Sequence, residues 1–230
     1  MFLGKYDYTV FLTYFNLLIG FFGIFIIIED FNNLNYAVIC LLLSGICDMF
    51  DGIVSNLKKE RTIEEIRYGF QIDSLADIVS FGILPIIIGI RLFRKFLIFP
   101  FFKIFFFFNT SLYILTILIR LAYFNVLTEN FFYQKKSKKK VNSEIFVGLP
   151  VTFVSFFFPI FILIKRLFFL EKDEKYLFLF PVIYSFSFLF LAFLFIFEHF
   201  HFKKPKKRFY FLFFFIIIIF IYYFFGFLIN

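Results

Sequence analysis

The chain has few of the residues that build disulfide or zinc frameworks. Its 230 residues include two cysteines and two histidines. Cys40 and Cys47 lie seven residues apart in one apolar run, which is typical of small core residues rather than of a disulfide or a metal site. His199 and His201 are two residues apart, so on a helix they would point to different faces, which favours an ordinary interfacial role.

The chain also lacks a linker. No stretch rich in glycine, serine or proline divides it, and it has no clear internal repeat. These absences favour one membrane domain over two separate domains. Within it we expect a transmembrane core over residues 1–197, followed by a basic loop and an accessory transmembrane helix over residues 198–230.

Charge is scarce relative to apolar surface. Charged residues make up 17% of the chain, whereas 62% of it is hydrophobic and 49 residues are phenylalanine. A soluble domain of this length has too little interior to bury so much apolar surface, so lipid must be the solvent for much of it. A net charge of +8 would suggest nucleic acid as the partner of a soluble protein. Here the basic residues lie between apolar stretches, and no nucleic-acid partner is expected.

Seven apolar stretches are long enough to cross a bilayer core, which needs about 20 residues per helix. They are 9–29, 34–57, 69–92, 101–127, 147–166, 176–197 and 209–229. The sequence therefore predicts an all-α fold, a polytopic membrane helix bundle with six core transmembrane helices and a seventh at the C-terminus. Pro100 is expected to start the fourth helix, because its missing amide hydrogen is not needed in a first turn.

Lysine and arginine are unevenly distributed among the connecting segments. The largest basic runs, 135–140 and 203–208, fall on the same side of the membrane if the crossings are as predicted. The positive-inside rule makes this side cytoplasmic, with the N-terminus inside and the C-terminus outside. We interpret both runs as topological anchors on anionic lipid.

Four aspartates lie within this apolar framework. Asp48 and Asp51 are toward the cytoplasmic end of the second span, and Asp73 and Asp77 are near the cytoplasmic start of the third. Acidic groups within a span are costly and usually functional. Spacings of three and four residues put each pair on one helix face. Because a short loop joins the two antiparallel helices, both pairs are expected to converge at one depth.

Four carboxylates at close range need protons or cations to compensate their charge. Oxygen ligands in this number suit Mg²⁺ or Mn²⁺. We therefore expect two divalent ions near the cytoplasmic face, an arrangement that clamps a phosphoryl centre during displacement. Gly52 and Gly69, beside the acids, would let a ligand or a neighbouring helix approach the backbone.

The acids and glycines form two motifs. The runs DMFDG at 48–52 and GFQIDSLAD at 69–77 carry the fixed residues of D-x-x-D-G and G-x-x-x-D-x-x-x-D. The chain thereby resembles the CDP-alcohol phosphatidyltransferase family, over about residues 9–165. Four runs are similar to its CDP-diacylglycerol–serine O-phosphatidyltransferase branch: LTYFNLLIG at 12–20, DSLADIVSFGILP at 73–85, RLAYFN at 120–125 and FVGLP at 146–150.

The resemblance implies a membrane enzyme that transfers the phosphatidyl group of CDP-diacylglycerol to L-serine, giving phosphatidylserine and CMP. It implies Asp48, Asp51 and Asp73 as metal ligands, and Asp77 as a further ligand or the catalytic base. A homodimer within membrane lipid is also implied. The residues expected to bind CDP-diacylglycerol are Gly52, Ser55, Lys58 and Gly69.

One departure from the family pattern concerns charge. The family's Ala-Arg pair after the first motif is here Ser55-Asn56, so an arginine that would help to hold the nucleotide-lipid headgroup is missing. Lys58, Lys59 or Arg67 are candidates to replace it. Arg120, a charged residue in an otherwise apolar run, is expected to bind the serine carboxylate or the diphosphate, with Asn125 as a second candidate.

Other interpretations stay open. The same transfer could use glycerol phosphate or inositol phosphate, which would require a basic acceptor pocket. An ion transporter could use the acids as a cation path, but the second half of the chain has no matching set of acids. A catalytically weak relative that serves as a membrane partner is suggested by the missing arginine.

Overall fold

The computed structural model describes most of the apolar chain. Its described residues are 4, 7–30, 33–55, 57–58, 61–136, 145–147, 149–168, 174–197 and 201–203. Their side chains are described except at 130–136, 145–147, 166–168, 174–178 and 201–203. The predicted seventh span at 209–229 and the departure at Asn56 lie outside the described residues.

Helices dominate the described part of the chain. The α-helices are α1 Tyr8–Glu29, α2 Leu34–Ser55, α3 Ile63–Asp77, α4 Leu84–Phe93, α5 Pro100–Lys136, α6 Val154–Phe168 and α7 Glu174–Ile196. A π-helical segment, Ile78–Ile83, joins α3 to α4, and a 3₁₀ turn, Val151–Phe153, precedes α6. The strands are β1 Ile145–Val147 and β2 His201–Lys203.

Five of the described helical stretches are long and apolar enough to cross a membrane. They are Tyr8–Glu29, Leu34–Ser55, the continuous Ile63–Phe93, Pro100–Glu129 and Leu179–Ile196. The shorter apolar helix Val151–Lys165 corresponds to the remaining predicted core span. The prediction of a polytopic membrane helix bundle is confirmed, and α5 begins at Pro100 as expected.

A short strand pair adds to the predicted helices. β1 and β2 pair antiparallel, with Phe146 opposite Phe202. The pairing joins the chain after α5 to the chain after α7. Because two helices separate the strands, the chain leaves and returns between them, so α5 and α7 end on the same side of the bundle. Three-residue strands carry little sequence signal, which is why this pair was not predicted.

The third span begins earlier than predicted. The Thr62 hydroxyl accepts a hydrogen bond from the Glu65 amide at 3.2 Å, and the Glu65 carboxylate accepts one from the Thr62 amide at 3.0 Å. This capping box satisfies two amides that a helix start leaves unpaired. α3 therefore begins at Ile63 rather than near residue 69, and Asp73 lies about three turns into it.

The junction between α3 and α4 is a π-helical segment, at and beside which two tyrosines from neighbouring helices donate hydrogen bonds to the backbone. Pro85 has no amide hydrogen to donate to the preceding turn. The Tyr113 hydroxyl of α5 donates to the carbonyl of Phe81, four residues before the proline, at 2.5 Å. The Tyr184 hydroxyl of α7 donates to the Pro85 carbonyl at 2.9 Å. Neighbouring helices thus satisfy backbone groups in a region without water.

Close helix packing depends on two glycines. A Cβ atom at Gly20 of α1 would lie 2.9 Å from the Cα atom of Ser80, and one at Gly45 of α2 would collide with the side chain of Ser155 on α6. Small residues let membrane helices approach at such crossings. α1 packs along α2, and the start of α6 packs against α2, so three helices surround the end of the bundle that carries the aspartates.

Many phenylalanines face outward from the bundle. More than half of the side-chain surface is exposed at each of Phe21, Phe22, Phe25, Phe101 and Phe107. So large an apolar surface would be a liability in water. Against hydrocarbon it carries no such cost, and it fits the lipid-facing role that the composition suggested.

Candidate active site

Three aspartates from two neighbouring helices meet at one end of the bundle. Asp48 of α2 and Asp73 and Asp77 of α3 each offer a carboxylate oxygen, and these atoms all lie within 4.8 Å of one another. The carboxyl group of Asp51 neighbours that of Asp73. The structure therefore brings together the four acids that the sequence placed on facing sides of two helices.

The acidic cluster, defined here as Asp48, Asp51, Asp73 and Asp77, is partly screened from water: Asp77 is buried and the other three are half-buried. Asp77 is 5% exposed, and Asp73 Oδ1 is buried without a hydrogen-bond partner. Desolvated carboxylates at this range repel one another, and a buried acceptor without a partner is costly. A divalent cation would relieve both costs. Because all the donors are hard oxygens, the residues present fit Mg²⁺ or Mn²⁺.

Uncharged donors from α1 orient two of the carboxylates. Asn16 Nδ2 donates to Asp77 Oδ1 at 3.1 Å, and Asn16 is fully buried. Thr13 donates through its hydroxyl to Asp51 Oδ2 at 3.1 Å. A carboxylate oxygen can accept more than one bond, so each aspartate keeps lone pairs for another ligand. Such neighbours fix the direction in which a ligating carboxylate points.

Asn16 also ties three elements together through its backbone. Its carbonyl accepts hydrogen bonds from the Ser44 hydroxyl of α2 at 3.3 Å and from the Ser80 hydroxyl of the π-helical segment at 3.1 Å. Gly20, one turn further along α1, leaves the room that Ser80 occupies. The α1 side chains that touch the acids are therefore held by packing on both neighbours.

A third donor comes from the second half of the chain. The hydroxyl of Thr152, in the turn before α6, donates to Asp48 Oδ2 at 2.5 Å. The segment that follows the FVGLP run thus contacts the acidic cluster. Nothing in the aspartate spacing predicts this contact, because 104 positions separate the two residues.

Sequence reasoning assigned no role to Thr13, Asn16 or Thr152. The available signal was their place in the family-like runs. Thr13 and Asn16 are the polar residues of LTYFNLLIG with a spacing of three, which puts them on one helix face. Thr152 lies two residues after Pro150 of the FVGLP run.

α5 reaches the same end of the bundle through Asn125. Its amide donates to the Ser74 hydroxyl at 2.9 Å, and its carbonyl oxygen accepts from that hydroxyl at 3.1 Å. Ser74 directly follows Asp73, so Asn125 braces α3 beside the cluster. Arg120 is 9% exposed in α5. The expectation that Arg120 and Asn125 contact serine or the diphosphate stays a prediction.

Lys58 is engaged away from the acidic cluster. Its Nζ atom lies 2.5 Å from Asp7 Oδ2 and 3.3 Å from Glu65 Oε2. The hydrogen bond from Lys58 holds the pKa of Asp7 below its ordinary value, and the hydrogen bond to Asp7 raises the pKa of Lys58. The pair joins the residue before α1 to the segment between α2 and α3. The expected donor-binding role of Lys58 stays a prediction.

The remaining expected donor-binding residues lie near the end of α2 and in the first half of α3. A Cβ atom at Gly52 would meet open space, so a ligand could approach the backbone there. Ser55 donates its hydroxyl to the Gly52 carbonyl at 3.0 Å. At Gly69, by contrast, the guanidinium of Arg61 fills the space, with Nη2 3.1 Å from the position of a Cβ atom.

Comparison with known proteins gives one match. The model of the family described as CDP-alcohol phosphatidyltransferase matches residues 9–180. This range contains both aspartate motifs, the donors from α1 and Thr152. No curated protein and no solved structure matches the chain.

Proposed function

Since this chain belongs to the CDP-alcohol phosphatidyltransferase family, we propose that it transfers the phosphatidyl group of CDP-diacylglycerol to the hydroxyl of L-serine, giving phosphatidylserine and CMP. The family itself implies transfer from a CDP-linked donor to an alcohol acceptor. The observation that carries the proposal is the acidic cluster, which gathers carboxylates from both halves of the family motif.

Asp48, Asp51, Asp73 and Asp77 would hold Mg²⁺ or Mn²⁺, two ions in our proposal. When bound, these ions supply neutralisation of the diphosphate charge and of the charge on the leaving phosphate. The protein's part is to hold the four carboxylates in place. Asn16, Thr13 and Thr152 do so through the hydrogen bonds described above.

Asp77 is the proposed catalytic base. A serine hydroxyl is a weak acid and needs a positioned acceptor for its proton as the oxygen attacks phosphorus. In the reaction the serine oxygen forms a bond to the phosphorus that carries diacylglycerol, and the bond from this phosphorus to the CMP oxygen breaks. The serine proton passes to Asp77. The low exposure of Asp77 keeps competing water from this position.

Two features support serine as the acceptor: sequence runs that resemble the serine-using branch of the family, and the positive charge of Arg120. The runs 73–85, 120–125 and 146–150 resemble the serine-using branch. Arg120, buried in α5, is proposed to bind the serine carboxylate or the diphosphate, and Asn125 lies five residues further on, against Ser74. A guanidinium pairs two parallel hydrogen bonds with a carboxylate or a phosphate.

The proposal includes a location and an assembly. We place the active site near the cytoplasmic face, because the basic runs lie on that side of the predicted topology. Residues 1–197 would form the catalytic core, and residues 198–230 would add a basic loop and an accessory helix. We also propose a homodimer in the membrane.

An acceptor assay tests this function. Detergent-purified protein is given CDP-diacylglycerol, Mn²⁺ or Mg²⁺, and labelled serine, with glycerol phosphate and inositol phosphate as parallel acceptors. We expect CMP release that depends on serine and is lost with EDTA. Release only with a phosphorylated alcohol would keep the family reaction and overturn serine as the acceptor. No release with any acceptor from folded protein would overturn the proposed activity.

A further inference from the structure

Arg61 lies eight residues before Gly69, the first residue of the second aspartate motif. It directly precedes Thr62, the residue that caps α3. Its Nη2 atom donates to the Glu65 carbonyl at 3.4 Å and lies over Gly69 of α3. The absence of a side chain at Gly69 lets the guanidinium lie this close to α3, because a Cβ atom there would be 3.1 Å from Nη2 and would displace it by a few tenths of an ångström.

One donor of this guanidinium is unused. Arg61 Nε is buried and has no hydrogen-bond partner. A guanidinium has five N–H donors in a fixed plane, so its orientation on Gly69 also fixes where the remaining donors point. Leaving a charged donor buried without an acceptor is costly. Such a group is explained if an anion occupies the space beside it when substrate is bound.

The position of the guanidinium relates it to the acidic cluster. Gly69, Asp73 and Asp77 follow one another at intervals of four residues, so they lie close to one face of α3. Each interval is about 6 Å along the helix. A cation over Gly69 is therefore about one turn of helix from Asp73 and about two turns from Asp77. A CDP-linked substrate at the cluster would have its phosphates within reach of it.

The chemistry of the donor requires such a cation. A diphosphate brings further negative charge to a site that is already rich in carboxylates, and fixed cations stabilise it. The end of α2 supplies no such charge in the described residues, where Ser55 is the last residue of the helix. Lys58 is paired with Asp7 and Glu65.

Arg67 is a less suitable cation. Its Nε atom pairs with Glu129 Oε1 of α5 at 3.0 Å, and its side chain is 48% exposed. An exposed and already paired arginine contributes little to holding a substrate. Of these two arginines, Arg61 is the one with a buried, unsatisfied donor beside the second aspartate motif.

We propose that Arg61, seated on Gly69, binds the diphosphate of the CDP-linked donor and thereby replaces the arginine that Ser55-Asn56 lacks. This inference rests on the proposed transfer reaction. It assigns to the segment between α2 and α3 a donor-binding residue that the aspartate motif does not contain. Arginine is suited to this task because its planar fork matches phosphate oxygens.

The test compares Arg61→Gln and Arg61→Lys with Arg67→Gln as the matched control. Binding of CDP-diacylglycerol to detergent-purified protein is measured without acceptor, and KM and kcat are then measured for donor and acceptor. We expect Arg61→Gln to raise the donor Kd and KM at least tenfold, with a much smaller change in acceptor KM. Arg61→Lys is expected to recover part of the donor affinity, and Arg67→Gln to behave as wild type.

A second variant tests whether Gly69 positions the Arg61 guanidinium. Gly69→Ala would shift Nη2 by a few tenths of an ångström, so it is expected to weaken donor binding modestly in the wild-type background. In the Arg61→Gln background the same change is expected to add little, because the side chain that it displaces is gone. Equal losses from Gly69→Ala in both backgrounds would show that Gly69 serves the donor independently of Arg61.

The outcomes separate this inference from the reaction itself. Unchanged donor Kd and KM in Arg61→Gln, with CMP release intact, would overturn the role of Arg61 and leave the transfer reaction standing. A phosphorylated acceptor such as glycerol phosphate offers the same oxygens. A rise in its KM alone, without a change in donor binding, would assign Arg61 to the acceptor and overturn the proposal. Wild-type protein that binds no CDP-diacylglycerol would overturn both.

Discussion

Two regions of this bundle bury polar groups in opposite ways. At the aromatic junction, which consists of Tyr113, Tyr184 and the helical backbone at Phe81 and Pro85, both buried hydroxyls donate to backbone carbonyls. The polar groups there complete one another's hydrogen bonds. In the acidic cluster, carboxylates lie against carboxylates, and the Asp73 Oδ1 oxygen has no partner.

The two regions differ in whether their buried polar groups find partners within the protein. This difference distinguishes a structural region from a functional one. A buried polar group that finds its partner within the protein holds helices together. The donors to the acidic cluster, Asn16, Thr13 and Thr152, carry no charge, so the repulsion among its acids is offset only when cations or protons join it. Asn109 Oδ1, near the aromatic junction, also lacks a partner, although its amide donates to Ser185 at 2.9 Å. It is neutral, so its cost is far below that of a carboxylate.

The largest effect is expected from a substitution in the acidic cluster. Asp77→Asn is expected to lower kcat by about 1,000-fold or more, since it removes both the proton acceptor and a carboxylate ligand. Helix content and thermal stability should hold, because the amide removes repulsion within the cluster. CMP release and thermal unfolding in detergent measure the two. An active Asp77→Asn enzyme would remove Asp77 from the chemistry.

Asn16→Ala is expected to have a smaller effect on the same site. It removes the donor to Asp77 but leaves the four carboxylates in place, so a loss of about 10- to 100-fold in metal affinity or activity is expected. Titrating the activity with Mn²⁺ distinguishes a loss of metal affinity, which excess Mn²⁺ restores, from a loss of activity at saturating Mn²⁺. Ser44→Ala, which removes a bond to the Asn16 carbonyl, is the control and should change activity much less. Equal effects of both variants would indicate a packing role for Asn16.

Tyr113→Phe probes the aromatic junction. The change leaves the Phe81 carbonyl without its donor, so about 1–3 kcal/mol of stability is expected to be lost. Activity per folded molecule should stay near that of wild type, because the hydroxyl bonds to backbone outside the cluster. Thermal unfolding in detergent and CMP release at low temperature measure these quantities. Loss of activity without loss of stability would show that the two regions are coupled.

The smallest effect is expected at the pair of Lys58 and Asp7. The hydrogen bond between them lowers the pKa of Asp7 and raises the pKa of Lys58, so the stability that the pair adds is constant across neutral pH. It is lost as pH falls through the lowered pKa of Asp7, or rises through the raised pKa of Lys58. Lys58→Gln should therefore shift thermal stability only slightly, by the same amount at pH 6 and pH 8. A shift that differs between these pH values would contradict this account.

The parts of the molecule that could be predicted are those with local sequence signals. Apolar length located the core spans, Pro100 located the start of α5, and spacings of three and four located the aspartates on their helix faces. The contacts that complete the site are not local. Thr152 reaches Asp48 across 104 positions, which only the packing of α6 on α2 brings about.

Two further features escaped sequence reasoning for physical reasons. The capping box at Thr62 and Glu65 has a recognisable pattern, but apolar length does not indicate it because this first turn is polar. The place of Arg61 depends on its side chain running along the start of α3, past the Glu65 carbonyl to Gly69, and residue type alone does not determine that direction.

Direct binding of Mn²⁺ to the detergent-purified protein tests the central claim, that the acidic cluster is completed by divalent cations. Electron paramagnetic resonance of free Mn²⁺ would be followed during titration of wild type, Asp73→Asn and Tyr113→Phe. The account predicts saturable binding by wild type and Tyr113→Phe, and loss of that binding in Asp73→Asn. Equal binding by all three proteins, or no binding by folded wild type, would contradict it.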